Sequence, residues 1–300
     1  MYEKYIDKDI YVVYIFYMKY LESFKLLNED EEFGYVDERR IYNSYYPFKL
    51  FTYMKNLNIK FGDITIFCGN NGCGKSTLLN MISKKLNSQR SSLSNKDALF
   101  DCYVKGIKYE MPNEPFEIVT ITSDDIFDYL LDLRSINMHV NREKEGLAKY
   151  YLDNKYNTKD ISIFEYEELK KHYETKNKSM SRFVRDNLMN NNITMQSNGQ
   201  SSLMFWESKI KEDGIYILDE PENSLSAENI LKLKKFIEES VRFYNCQFII
   251  STHSPFLLSL TDAVIYDLDT KDFTPVPWEK LSSVKTYYNF FKENENKFNS

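Results

Sequence analysis

An apolar run, Ile64–Cys68, stops at Gly69 and gives way to Gly69-Asn70-Asn71-Gly72-Cys73-Gly74-Lys75-Ser76-Thr77, after which Leu79, Ile82 and Leu86 recur at helical spacing. A strand, a GxxxxGK[ST] loop and a helix in that order admit few folds, because the loop needs a strand end and a helix start to hold its shape. The chain is sparing with glycine: 9 in 300 residues, three of them in this window. Average usage is about 7%, so the residue has been kept where others do not fit. Glycines let successive N–H groups turn inward toward phosphate oxygens, and the helix N-terminus adds the positive end of its dipole. Lys75 supplies a point charge for the β- and γ-phosphates, and the Ser76 hydroxyl is placed to bind Mg²⁺. An incidental glycine-rich turn is the alternative, and a lysine and serine in register argue against it.

Three further segments support this reading. Ile215-Tyr216-Ile217-Leu218 ends in Asp219-Glu220. A buried strand of this kind delivers Asp219 beside the metal, and Glu220 can polarise an attacking water. A solvated turn would be the better reading of two such carboxylates in isolation. Phe248–Ile250 runs into Ser251-Thr252-His253-Ser254-Pro255, which puts His253 at a strand end, where ligands bind in open α/β sheets. There it can meet the γ-phosphate or the attacking water. Ser197-Asn198-Gly199-Gln200-Ser201 precedes the helix-like Ser202–Ile210; it is a second anion site, a helix cap, or both.

Apolar strands at 64–68, 215–218, 248–250 and 263–267, with a helix at Ala227–Phe243, predict a mostly parallel sheet flanked by helices. Strands are also expected at Tyr11–Met18, Phe48–Tyr53, Leu57–Phe61, Tyr103–Tyr109 and Phe116–Thr122, separated by a charged stretch (Asn28–Arg40) and a polar loop (Ser88–Asp97). Residues 124–192 read as a helical insert, with helical spacing in Ile126–Leu133 and Glu165–His172. The tail Ser283–Phe298 reads as a helix with Val284, Tyr287 and Phe291 on one face. Lys170, Lys171, Lys176, Lys178, Arg182 and Arg185 form either a solvated helix face or a contact for nucleic acid or an acidic partner.

A net charge of −6 argues against nonspecific coating of nucleic acid or of an anionic membrane. The apolar run Ile10–Met18 is far shorter than the ~20 residues of a membrane helix. Cys68, Cys73, Cys102 and Cys246 form no CxxC pair, which fits reduced thiols and a cytoplasmic location. The surplus of Tyr and Phe is read as coding composition rather than as a stacking function.

Taken together, GNNGCGKST (69–77), SNGQSS (197–202), IYILDEPENSLS (215–226) and STHSPFLLS (251–259) resemble the ABC-type ATPases, in the branch containing SMC, RecF and short stand-alone bacterial AAA family predicted ATPases, some of them of anti-phage defence type. The resemblance implies an α/β P-loop NTPase of ABC type: a mostly parallel sheet flanked by helices, an antiparallel β-subdomain and a helical insert. Residues 1–122 and 215–300 would form the nucleotide-binding core, and 123–214 a helical subdomain carrying the signature. It further implies ATP and Mg²⁺ as cofactors and a homodimer that forms on ATP binding. Gly69, Asn70, Asn71, Gly72, Cys73, Gly74, Lys75, Ser76 and Thr77 would bind ATP in one copy, and Ser197 and Gly199 in the other. Ser76 and Asp219 would hold Mg²⁺, with Glu220 as general base and His253 as γ-phosphate sensor; Ser224-Leu225-Ser226 matches the D-loop.

The sequence also departs from the family. The glutamine expected after Phe116–Thr122 is replaced by Ser123-Asp124-Asp125, and the signature reads Ser-Asn-Gly-Gln. Cys73 replaces the commoner serine, so oxidation sensitivity is expected if its surroundings favour the thiolate. Tyr45, Tyr46 and Phe48 are candidates for adenine contact or for core packing. The expected function is an ATP-hydrolysing dimeric switch that acts on a nucleic-acid or protein effector, without inserting in a membrane, in genome maintenance or phage defence. The alternative is the nucleotide-binding subunit of an ABC transporter. A nuclease of the overcoming-lysogenization type would need a further domain after the histidine.

Overall fold

The computed structural model describes residues 20–37, 46–91, 98–155, 166–188, 198–223 and 225–298. The expected strand Tyr11–Met18, together with Tyr45, Ser197 and Ser224, lies outside them. In chain order the elements are β1 (Ser23–Lys25), α1 (Glu29–Asp37), β2 (Asn58–Lys60), β3 (Ile64–Cys68), α2 (Lys75–Lys85), β4 (Gln89–Arg90), α3 (Ala98–Gly106), β5 (Lys108–Glu110) and β6 (Glu117–Thr122). They continue with α4 (Ser123–Lys155), α5 (Tyr166–Asn177), α6 (Met180–Asn187), α7 (Asn198–Lys209), β7 (Gly214–Asp219), α8 (Ala227–Tyr244), β8 (Gln247–Ser251), α9 (Pro255–Leu258), β9 (Val264–Asp267) and α10 (Ser282–Glu293). The chain divides into two compact units, Met1–Ile126 with Ser202–Ser300, and Phe127–Ser201.

In the first unit β3 and β8 are buried at every position and β7 at all but its last. Strands without apolar–polar alternation belong inside a sheet covered on both faces, and the six-stranded sheet, in the order β4-β6-β7-β8-β3-β9, pairs in parallel throughout. Its register is what builds the site. Thr122 pairs with Asp219, Asp219 with Ser251, and Ser251 with Phe67. Four strands therefore end flush, and the segments after β3, β7 and β8 emerge side by side at their carboxyl ends.

Between β7 and β8, α8 turns a buried stripe of Ile230, Leu233 and Ile237 inward. Ser226 caps it, accepting from the Asn229 N–H at 3.4 Å, and Asn245 ends it in the left-handed region at φ 52°. The antiparallel sheet β2-β1-β5 is tied to the start of β8 by one buried amide. Gln247 accepts from the Leu21 N–H at 2.8 Å and donates to the carbonyls of Leu21 and Gly62 at 2.9 Å each.

Several expected strands take other forms. Most of Tyr103–Tyr109 is the end of α3: Phe100, Tyr103 and Val104 are buried at helical spacing, which a short apolar run does not distinguish from a strand. Phe48–Tyr53 forms turns that bury Phe48, Phe51 and Met54, with the Met54 N–H donating to the Phe51 carbonyl at 3.0 Å. The charged stretch after Asn28 is helical. Asn28 Oδ1 accepts from the Glu31 N–H at 2.8 Å, and Glu31 Oε2 accepts from the Asn28 N–H at 3.0 Å, a reciprocal box that starts α1. At the other end of the chain α10 buries Val284 and leaves Tyr287 and Phe291 exposed.

The described residues of the second unit are mostly helical, as expected. Phe183 is fully buried and packs against Tyr150 and Tyr151, with ring centroids 6.2 and 5.6 Å away. Lys155 Nζ donates to the Thr175 and Lys176 carbonyls at 2.8 and 3.0 Å, closing the end of α5 with a cation, as the helix dipole favours. Part of the basic stretch is paired internally. Lys178 meets Glu174 at 3.1 Å and Asp186 at 3.0 Å, and Arg182 and Arg185 lie 3.9 and 3.7 Å from Asp186.

Candidate functional site

The loop after β3 takes backbone shapes that demand glycine. Gly69 and Gly74 have φ of 142° and 100°, and a Cβ on Gly69 would sit 2.8 Å from Cys73 Sγ. Gly74 precedes α2 without a side-chain cap, leaving the first amides of that helix to an anion. Lys75 is buried. Its Nζ curls back over the loop and donates to the Gly69 and Asn70 carbonyls at 3.0 and 3.2 Å. The ammonium is thus held where phosphates would replace carbonyls as its partners.

The adjoining strand ends bring the acids in. Ser76 Oγ donates to Asp219 Oδ1 at 3.2 Å. Ser251 Oγ donates to the same oxygen, which fixes the carboxylate toward the loop. Glu220 turns the chain at φ 49°, a left-handed conformation that a glutamate adopts only when its surroundings enforce it. Here the Glu220 N–H is held by the Ser251 carbonyl at 3.1 Å and by Ser251 Oγ at 3.2 Å. The Glu220 carboxylate accepts from Asn223 Nδ2 at 3.0 Å. His253 Nε2 lies 3.5 Å from Glu220 Oε1 and makes no hydrogen bond.

Lys75, Ser76, Asp219, Glu220 and His253 therefore share one edge of the sheet, as the motifs imply. Gly199 falls in the first turn of α7. Thr77 faces away from the acids: its Oγ1 lies 3.0 Å from the Tyr46 hydroxyl. Phe48 is buried against Tyr103, the second of the two readings, and Tyr46 is half-buried and stacks on Phe100. In place of the missing glutamine, Asp125 closes the start of α4, accepting from the Thr122 N–H and hydroxyl at 2.8 Å each. Burial pushes the Cys73 thiol up, against the pull of the Lys75 charge. That setting does not favour the thiolate, and the expected oxidation sensitivity loses its basis.

Two further residues shape the site. Ser251 has a signal in the sequence, a hydroxyl at a strand end directly before Thr252-His253. Asp269, two residues beyond β9, has none. It accepts from the Asn70 N–H at 2.8 Å and so braces the loop from another strand.

The oxygens of Ser76 and Asp219 form a hard donor pair that suits Mg²⁺, which holds few protein ligands and completes its shell with phosphates and water. Among the described residues no group of three or more His, Cys, Asp or Glu could hold a metal ion. No described helix is long and apolar enough to cross a membrane.

Residues 54–223 match the ABC transporter family, and the chain belongs to that family. Its fold is the ABC-type P-loop NTPase fold, that of an ATPase domain that binds nucleotide. Similar solved structures include a putative metal-chelate type ABC transporter in an inward-facing conformation, 16% identical over 91% of this chain and 89% of that one, with a TM-score of 0.38. The SMC head domain from Thermotoga maritima is 15% identical over 86% and 99%, with a TM-score of 0.36. The Smc head of Pyrococcus furiosus bound to the C-terminal domain of ScpA is 15% identical over 92% and 99%, with a TM-score of 0.40. No curated protein matches the chain.

Proposed function

We propose that this chain is an ATP-hydrolysing switch that dimerises on binding ATP and passes the closure to a protein or nucleic-acid effector in the cytoplasm, in genome maintenance or phage defence. The observation that carries the proposal is the convergence of Ser76 with Asp219, and of Glu220 with His253, beside the Lys75 loop. In this reading Lys75 and the loop amides from Gly69 to Thr77 hold the β- and γ-phosphates. Glu220 takes the proton of the attacking water, and Asn223 orients its carboxylate. His253 donates to the γ-phosphate. Ser76 and Asp219 would hold Mg²⁺, which neutralises phosphate charge when bound. Ser197 and Gly199 of a second copy complete the site, and residues 123–214 act as the subdomain that presents them.

The test is phosphate release from ATP by the purified chain. Turnover that needs Mg²⁺ and is lost with ATP binding in Lys75→Ala supports the reading; wild-type levels no higher than buffer overturn it. The family match over 54–223 favours a second reading, the nucleotide-binding subunit of a transporter. Purification from its own cell with a polytopic membrane protein, in place of a soluble or nucleic-acid partner, would select it.

A further inference from the structure

Glu222 lies two residues beyond Glu220, in the turn after β7. One of its oxygens, Oε1, accepts three hydrogen bonds, all from the segment that carries His253. The donors are Thr252 Oγ1 at 2.7 Å, the His253 N–H at 2.8 Å and the Ser254 N–H at 3.1 Å. Thr252 is fully buried, and its Oγ1 accepts from the Ser254 N–H at 3.0 Å, so the cluster is closed on itself. The other oxygen, Oε2, is buried with no hydrogen-bond partner.

Charge-assisted bonds of this kind are roughly twice as strong as neutral ones, whereas a buried unpaired oxygen costs free energy. A glutamate in a turn could face water and avoid that cost. This one instead spans two strand ends and grips the backbone on both sides of the His253 Cα. We propose that Glu222 is a positioning residue: it fastens the His253 segment to the turn that carries Glu220 and keeps the imidazole beside the catalytic carboxylate. The kinetic part of this proposal rests on the ATP-hydrolysis reading; the placement of His253 does not.

The test uses the full chain and two substitutions. Glu222→Gln keeps an oxygen for the three donors, and Glu222→Ala removes it. Glu222→Ala is expected to lower kcat about tenfold with KM for ATP little changed, the split that marks an interaction felt in the transition state, and Glu222→Gln to recover most of the loss. In a His253→Ala background Glu222→Ala should cost nothing more, because residues acting as one unit are not additive. Losses that multiply in the double variant overturn the proposal.

A second readout does not depend on turnover. The chain has three histidines, and the His253 ring signals in an NMR spectrum are those lost in His253→Ala. They should shift in Glu222→Ala while those of His139 and His172 stay in place. Unmoved His253 signals overturn the proposal, whether or not the protein hydrolyses ATP. A wild type without turnover sinks the hydrolysis reading and leaves the ring-signal test standing. If Glu222→Ala does not fold, Thr252→Val removes one donor at nearly constant shape and is read the same way.

Discussion

In the unit that carries the phosphate loop, β3 and β8 bury every side chain and the strand ends line up residue by residue. In the unit Phe127–Ser201 the described residues bury four hydrophobic side chains, Leu130, Val140, Tyr151 and Phe183. Capped helix ends and charge clusters supply much of the rest. The difference follows from what each part must hold. A phosphate site needs backbone fixed to fractions of an ångström, which a parallel sheet buried on both faces provides. Helices held by surface pairs are cheaper to vary and easier to open, since exposed ion pairs contribute about 0–1 kcal/mol each.

Substitutions can break this contrast or sharpen it. The largest effect belongs to chemistry. Glu220→Gln keeps the shape and removes the proposed base, and ATP turnover should fall by about 10²–10⁴-fold with nucleotide binding retained. Turnover within a few-fold of wild type would relocate the base. Next comes the sheet core. Phe248→Ala, at a fully buried position of β8, should cost about 3–5 kcal/mol in denaturant unfolding; a cost below about 1 kcal/mol would show a core that closes over the gap.

Phe183→Ala should cost at most the same about 3–5 kcal/mol, confined to the helical unit. It should read as faster amide exchange in residues 166–188, and unchanged exchange there would mean that the charge clusters, not Phe183, hold that unit. The smallest effect is acid. A hydrogen bond from Asn187, with Lys178 behind it, holds the Glu174 carboxyl below its ordinary 4.5. Lys178, with Arg185 and Arg182, holds Asp186 below 3.8. Carboxyls depressed by folding contribute stability above their unfolded values and lose it as pH falls below them. Protection of α5 and α6, taken relative to the intrinsic exchange rate at each pH, should therefore fall as pH drops below about 4.5, and less so in high salt, where the pairs are already screened. No change across that range would remove these pairs from the account.

The same contrast explains what the sequence disclosed. Ile64–Cys68, Ile215–Leu218 and Ala227–Phe243 match the observed elements within a residue or two, because long buried runs and a capped amphipathic helix have no competing reading. Lys75, Ser76, Asp219, Glu220 and His253 were legible for a related reason: each stands in a motif at a strand end. Asp269 was not, because its partner Asn70 lies far along the chain and only the register brings them together. The short apolar run around Tyr103 fits a helix or a strand by composition alone, and burial of Phe100, Tyr103 and Val104 against neighbouring elements decides. Of the pairs made by the basic residues near 178–185, Glu174 with Lys178 and Arg182 with Asp186 stand four residues apart and follow from helical spacing, whereas Lys178 with Asp186 does not.

The central claim is that ATP binding closes two copies of this chain around the nucleotide. Light scattering on size-exclusion chromatography of Glu220→Gln, with and without ATP and Mg²⁺, tests it most directly. A monomer that becomes a dimer when ATP and Mg²⁺ are added is the expected result. A variant that binds ATP and remains monomeric would contradict it.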